Sequence, residues 1–325
     1  MTTALTIKVN GDQLELGPVT VSFQRTLRIP EEGLHSLPPG LGRFPLRRVS
    51  DYPDTAPAEW LARGGVMMPL YQREAMWMLF HSEEPAALQV GVGRVCAVSG
   101  ETWDESLSKD PQNYAALQDQ PWLDGINAGE GYIRQFVAVP LGLGATVEAQ
   151  VTGSEDHGGV QLRAVGLTDQ ALRKWEDAQG QVECDMVYSA DPVIPFCAPP
   201  DMGLGAGGRM RQEVYADERA LSDYDEKRSG RVFVHLCSAA QWSAITGEVP
   251  PASPVDRETY VRHGLPWFEY YDADHEDLAP SDTLGKVKTV GDLLGDDSGP
   301  HTPVDPATVI RLKGDGGDVV ADGQW

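Results

Sequence analysis

The chain has 325 residues, 41% of them hydrophobic and 23% charged, the composition of a globular protein rather than a disordered one. Its net charge of −23 and pI near 4.5 make a surface that repels phosphate backbones and anionic lipid, which argues against nucleic-acid and membrane partners. The 35 glycines and 24 prolines point to many turns and short elements.

The first residues, MTTALTIKVNGDQLEL, lack the basic and apolar regions of a signal peptide. The longest near-apolar run, FVAVPLGLGATV, is too short to span a bilayer. Four widely spaced cysteines fit reduced thiols, so the expected location is the cytoplasm. Arginine outnumbers lysine strongly, a bias of GC-rich bacterial genomes.

Asn10-Gly11 is a two-residue hairpin signal, and a turn centred there sets Ile7 opposite Leu14 and Leu5 opposite Leu16. A third strand alternates Val19, Val21, Phe23, Leu27 and Ile29 until Pro30. Residues 30–58 read as an irregular connection. TAPAEWLARGG reads as a helix capped by Thr55 and stopped at Gly64-Gly65. LYQREAMWMLF reads as a second, buried helix.

From 88 to 166 the pattern is β-rich. YIRQFVAVPL is apolar at both parities, as in a central strand, and ATVEAQVT and GVQLRAV alternate as two arms of a hairpin. TDQALRKWEDAQG is a helix with Thr168 at its start and Gly180 after its end. RVFVHLC is a buried strand, followed by a short helix ending at Gly247. SPVDRETYVRHG is a helix with Ser253 as cap, and the tail from about 272 is acidic and Gly-rich.

These elements give a β-rich α+β fold of antiparallel sheets, sandwich-like or jelly-roll-like, with about five short helices. A β-rich region spans 1–166 and a mixed one 167–325, either as two domains or as one integrated unit.

The run PPDMGLGAGGRMRQEVYAD contains Gly203, Gly205 and Gly208, a literal G-x-G-x-x-G. A dinucleotide site needs a buried strand leading into the glycine turn and a helix after it. Pro199-Pro200 precede the glycines and no apolar helical face follows, so a surface loop is expected, one that approaches another backbone closely.

His235 and Cys237 share one face of a strand, the spacing a thiolate–imidazole pair would need, but the favoured reading is one side of a buried strand with His235 hydrogen-bonded locally. No C-x-x-C or H-x-x-x-H pairing supports zinc. Asp272, Asp274, Glu276 and Asp277 crowd hard oxygen ligands suited to Ca²⁺ but lack the EF-hand spacing; Asp315 and Asp318 are similar. The cluster Trp267, Phe268, Tyr270 and Tyr271 can line a groove or anchor a partner. Trp122 with Asp124 forms a second loop with an aromatic and a carboxylate.

No cofactor is expected. The function read from these features is a non-enzymatic binding or assembly module with a protein partner or self-association. The alternatives are a hydrolase assembled from distant residues and a calcium-stabilised structural protein.

Overall fold

The computed structural model describes residues 4–129, 131–179, 201–252, 257–263, 267–271, 276–279, 281–295 and 309–313. β1 (Ile7–Asn10) and β2 (Gln13–Leu16) form the expected hairpin, but the turn is Gly11-Asp12, with Gly11 at φ 57°. Ile7 therefore pairs with Leu16 and Val9 with Leu14. The slip relative to a turn at Asn10-Gly11 is two residues, so every side chain keeps its face and Leu14 and Leu16 remain in the core. The carboxylate of Asp12 accepts from the Leu46 backbone N–H at 3.3 Å, which ties the turn to the chain beyond it.

β3 (Val19–Thr26) follows with Val19, Val21 and Phe23 buried as read, but it ends before Leu27 and Ile29, which are buried beyond it. The irregular connection carries β4 (Leu34–His35), β5 (Gly40–Arg43) and β6 (Arg47–Arg48). α1 (Ala58–Arg63) stops at Gly64, but Pro57 rather than Thr55 occupies its N-cap; the Thr55 hydroxyl donates instead to the Ile245 carbonyl at 2.7 Å.

The expected second helix is absent. Its residues form the end of β7 (Val66–Leu70), a turn with Arg73 at φ 65°, and β8 (Ala75–Ser82). Met, Leu and Ala suit a helix, yet Met76, Met78 and Phe80 also fit a period of two, and pairing with β3 decides the matter. Phe23 faces Met78 and Val21 faces Phe80 across that ladder.

β9 (Ala86–Val92), β10 (Val95–Cys96), β11 (Ala115–Leu117), β12 (Trp122–Leu123) and β13 (Gly125–Gly129) lead to β14 (Tyr132–Pro140). β14 is central as expected, pairing with β8, β13 and β16 (Met202–Arg211). ATVEAQVT is not a strand but α2 (Val147–Thr152). The Thr146 hydroxyl accepts from the Ala149 N–H at 3.0 Å, and left-handed Gly153 closes the other end. Glu148 is buried inside it, its carboxylate accepting from the backbone of His157 and Gly158.

β15 (Val160–Leu167) and α3 (Asp169–Gln179) follow as read. The glycine run is not a surface loop. It is β16, buried between β14 and β17 (Tyr224–Ser238), with no strand-to-helix turn at the glycines. The expected close approach is present: a Cβ on Gly208 would fall on the Pro30 carbonyl oxygen, and one on Gly205 would lie 2.6 Å from Val290 Cγ2.

α4 (Ala239–Thr246) starts with a capping box from Ser238 and ends at Gly247. α5 (Arg257–Arg262), β18 (Trp267–Tyr271), α6 (Asp282–Gly285), α7 (Val290–Leu294) and β19 (Val309–Lys313) complete the described elements. Ser253, proposed as a cap, and the acidic tail from Asp315 lie outside the described residues.

The first seventeen strands form one largely antiparallel sheet, while β18 and β19 pair separately and in parallel. This is the β-rich α+β fold read from the sequence. Strands from either side of residue 167 pair directly, β14 with β16 and β15 with β17. The Leu5 N–H donates to the Ser229 carbonyl at 3.0 Å, bringing the first hairpin against β17. One large core runs from Leu14 to Val287, and a smaller one of Trp60, Met67, Cys237, Trp242 and Ile245 lies between α1 and α4. Among the described residues no helix is long and apolar enough to cross a membrane.

Candidate functional site

The alternation of β8 builds one wall of the site. Met76, Met78 and Phe80 point into the core, so Trp77 and Leu79 point out of the opposite face and stay half-buried. β12 pairs with β8 at this point, setting Trp122 opposite Leu79 on the outer face and Leu123 opposite Met78 in the core. The next outward position is Asp124.

The other wall is the segment Leu37-Pro38-Pro39-Gly40. Leu37 and Phe268 exchange two backbone hydrogen bonds, at 2.7 and 2.9 Å, which fix Phe268 beside the proline pair. Trp77, Leu79, Trp122, Phe268, Pro38, Pro39 and Asp124 line an open cavity of about 230 Å³. The indoles of Trp77 and Trp122 meet edge to face, 6.4 Å between centroids and 67° between planes. Gly40 leaves room for the Trp77 ring, a Cβ there falling 3.3 Å from Cζ2. The Trp77 indole N–H is buried with no hydrogen-bond partner among the described residues.

Asp124 is the one ionisable residue in this otherwise apolar lining. It is 2% exposed. Gln212 pairs with it reciprocally: the Gln212 amide donates to Oδ2 at 2.8 Å while its carbonyl accepts from the Asp124 N–H at 2.9 Å. The Trp122 side chain hydrogen-bonds to the same carboxyl. Burial pushes its pKa up to about 7, and the hydrogen bonds from Gln212 and Trp122 offset only part of that rise. Neither partner is a cation.

Two regions singled out by sequence are thus joined here: Trp122 with Asp124, and the WFEYY segment. Trp267, expected as a contact residue, is core instead. It is 1% exposed and packed edge-on against Tyr260 at 5.8 Å, and its neighbour Phe268 reaches the cavity. The side chains of Tyr270 and Tyr271 lie outside the described residues. Trp77 went unseen because its segment reads as helical; the alternation of its buried methionines was the available signal.

His235 and Cys237 do not make a thiolate–imidazole pair. His235 Nε2 bonds the Gly64 carbonyl at 2.8 Å, its ring stacks on Trp60 at 4.6 Å, and burial lowers its pKa to about 4. The Cys237 thiol donates to the Met68 carbonyl at 3.2 Å, and burial pushes its pKa far up. Both are neutral near pH 7 and each is bound to a backbone carbonyl.

Asp277 ties the turn between β13 and β14 to the segment that follows β16. One carboxylate oxygen accepts from the Gly131 N–H at 2.8 Å and the other from the Val214 N–H at 3.1 Å. Asp272, Asp274, Asp315 and Asp318 lie outside the described residues. Among the described residues no three His, Cys, Asp or Glu side chains cluster as metal ligands.

No protein family, no curated protein and no solved structure matches this chain.

Proposed function

We propose that the protein is a binding module whose aromatic cage takes a cationic side chain, lysine, methylated lysine or arginine, from a basic segment of a protein partner. One observation carries this reading. Two tryptophans and a phenylalanine line the same cavity as Asp124, whose buried carboxyl has hydrogen-bond partners, Gln212 and Trp122, that are both neutral. A buried carboxyl without a counter-ion favours protonation, and an incoming cation restores its charge. Indole faces add cation–π attraction of about 0.5–2 kcal/mol per contact.

Size and charge agree with this occupant. A cavity of about 230 Å³ is smaller than the roughly 300 Å³ at which drug-sized pockets begin, so it suits one side chain. A net charge of −23 draws basic partners from a distance and opposes the pairing of two copies.

The test is calorimetric titration with acetyl-Gly-Lys-Gly-amide, its Nζ-trimethylated form and the neutral norleucine counterpart. The cationic peptides bind one to one, the norleucine peptide binds at least about tenfold more weakly, and Trp122→Ala removes the difference. Equal binding of all three, or none, overturns the proposal.

A further inference from the structure

We propose that a second cleft, on the face of β15 and β17, binds a small planar aromatic anion. The cleft is lined by Arg63, Trp103, Glu105, Gln161, Arg231 and Phe233 and has a volume of about 450 Å³, within the range of small-molecule sites. It shares no lining residue with the cage around Asp124.

Strand register makes its floor. Gln161 pairs with Phe233 and with Gly91, so these three form one row across β9, β15 and β17. Arg231, two residues before Phe233, lies on the same face. Gly91 supplies the depth: a Cβ there would lie 2.6 Å from Trp103 Cε3 and 2.8 Å from Gln161 Oε1. The Trp103 ring therefore lies directly against the backbone of β9.

The chemistry on this floor is complementary to a ring that carries an anion. Trp103 and Phe233 offer aromatic faces, and both are half-buried. Arg63 sits over the Phe233 ring, 4.7 Å from its centroid, and donates to the His157 carbonyl at 3.3 Å, which leaves further guanidinium donors. Arg231 is paired with Glu105, the one carboxylate in the lining. That pair is solvent-exposed on both sides, with side chains 70% and 45% accessible, so a ligand anion can displace Glu105 at little cost. Beneath them, Gln161 Nε2 donates to Gly158, and Oε1 lies buried against Gly91 with no hydrogen-bond partner among the described residues. A chain with 49 acidic and 26 basic residues thus concentrates two arginines and two aromatic rings in one cleft.

The test is titration calorimetry with 4-hydroxybenzoate, phenyl phosphate and neutral 4-hydroxybenzamide, on the intact chain and on three surface variants. At least one anion binds one to one, and the amide binds at least about tenfold more weakly. If 4-hydroxybenzoate is preferred the natural anion is a carboxylate; if phenyl phosphate is preferred it is a phosphate. Arg63→Gln and Arg231→Gln each weaken that anion about tenfold, whereas Glu105→Gln tightens it by freeing Arg231. All three side chains are exposed, so folding is retained and is checked by circular dichroism. The inference is overturned if neither anion binds, if the amide binds as tightly, or if Glu105→Gln weakens binding.

Discussion

Replacing Asp124 by Asn tests the electrostatics of the cage without any ligand. The Asp124 carboxyl has a folded pKa of about 7 against an ordinary value of 3.8. The folded state therefore holds this proton between about pH 4 and pH 7 while the unfolded chain has lost it, so Asp124 lowers stability progressively as pH rises through that window. A shift of about three units corresponds to about 4 kcal/mol, all of it expressed above pH 7. Asparagine cannot ionise. It also leaves the Trp122 side chain facing a poorer acceptor, a loss that is constant with pH and moves the curve without tilting it. Urea denaturation from pH 4 to pH 8 is the assay, taken as wild type minus variant so that other carboxylates cancel. The wild type loses stability relative to Asp124→Asn between pH 4 and pH 7 and runs level above it. A difference that is flat throughout, or that rises with pH, refutes a buried carboxyl lacking a counter-ion.

Other substitutions probe the frame around the site. Gly208→Ala drives a methyl into the Pro30 carbonyl and destabilises the protein by about 1–3 kcal/mol or more, read as a fall in denaturation midpoint; an unchanged midpoint contradicts the packing of β16. Glu148→Ala leaves the backbone N–H groups of His157 and Gly158 without their acceptor and costs about 1–3 kcal/mol. His235 has a folded pKa lowered to about 4, so its contribution is present above pH 6.5 and is lost as pH falls toward 4. His235→Gln flattens that acid limb by up to about 3 kcal/mol, and an acid limb unchanged by the substitution contradicts a buried neutral imidazole. Peptide mapping after native iodoacetamide treatment finds Cys96 and Cys237 unmodified, since both are buried with thiol pKa values pushed up; rapid labelling of either contradicts their placement.

Much of the fold was legible because local signals and tertiary pairing agree. Asn10-Gly11 announced the first hairpin, and its slip of two residues changed no facing because side chains alternate with period two. Thr168 and Gly247 bounded helices where capping chemistry predicts them. The misreadings share one cause, a short segment compatible with both periods. Residues 75–80 carry good helix formers that also alternate, and the β3 ladder selects the strand. Residues 147–152 alternate just as well, but Thr146 and Gly153 cap a helix there. The glycines of β16 suggested a loop because their reason lies elsewhere in the chain, at Pro30 and Val290.

The site was legible only in halves. Trp122 with Asp124 and the WFEYY segment were each visible as aromatic loops, but some 140 positions separate them. Only the Leu37–Phe268 backbone bridge and the β8–β12 ladder bring them together. The raised pKa of Asp124 arises from burial, which depends on the whole fold and leaves no mark on neighbouring residues.

The most direct test of the cage is the proton released when a cation enters it. Near pH 7 Asp124 is partly protonated, so binding acetyl-Gly-trimethyllysine-Gly-amide releases a fraction of a proton. Calorimetry at pH 7 in two buffers of different ionisation enthalpy then gives different apparent binding heats for the wild type. The heats are the same in Asp124→Asn, whatever its affinity. Binding heats that do not depend on buffer in the wild type, or a dependence that survives in Asp124→Asn, contradict the cage as the seat of cation recognition.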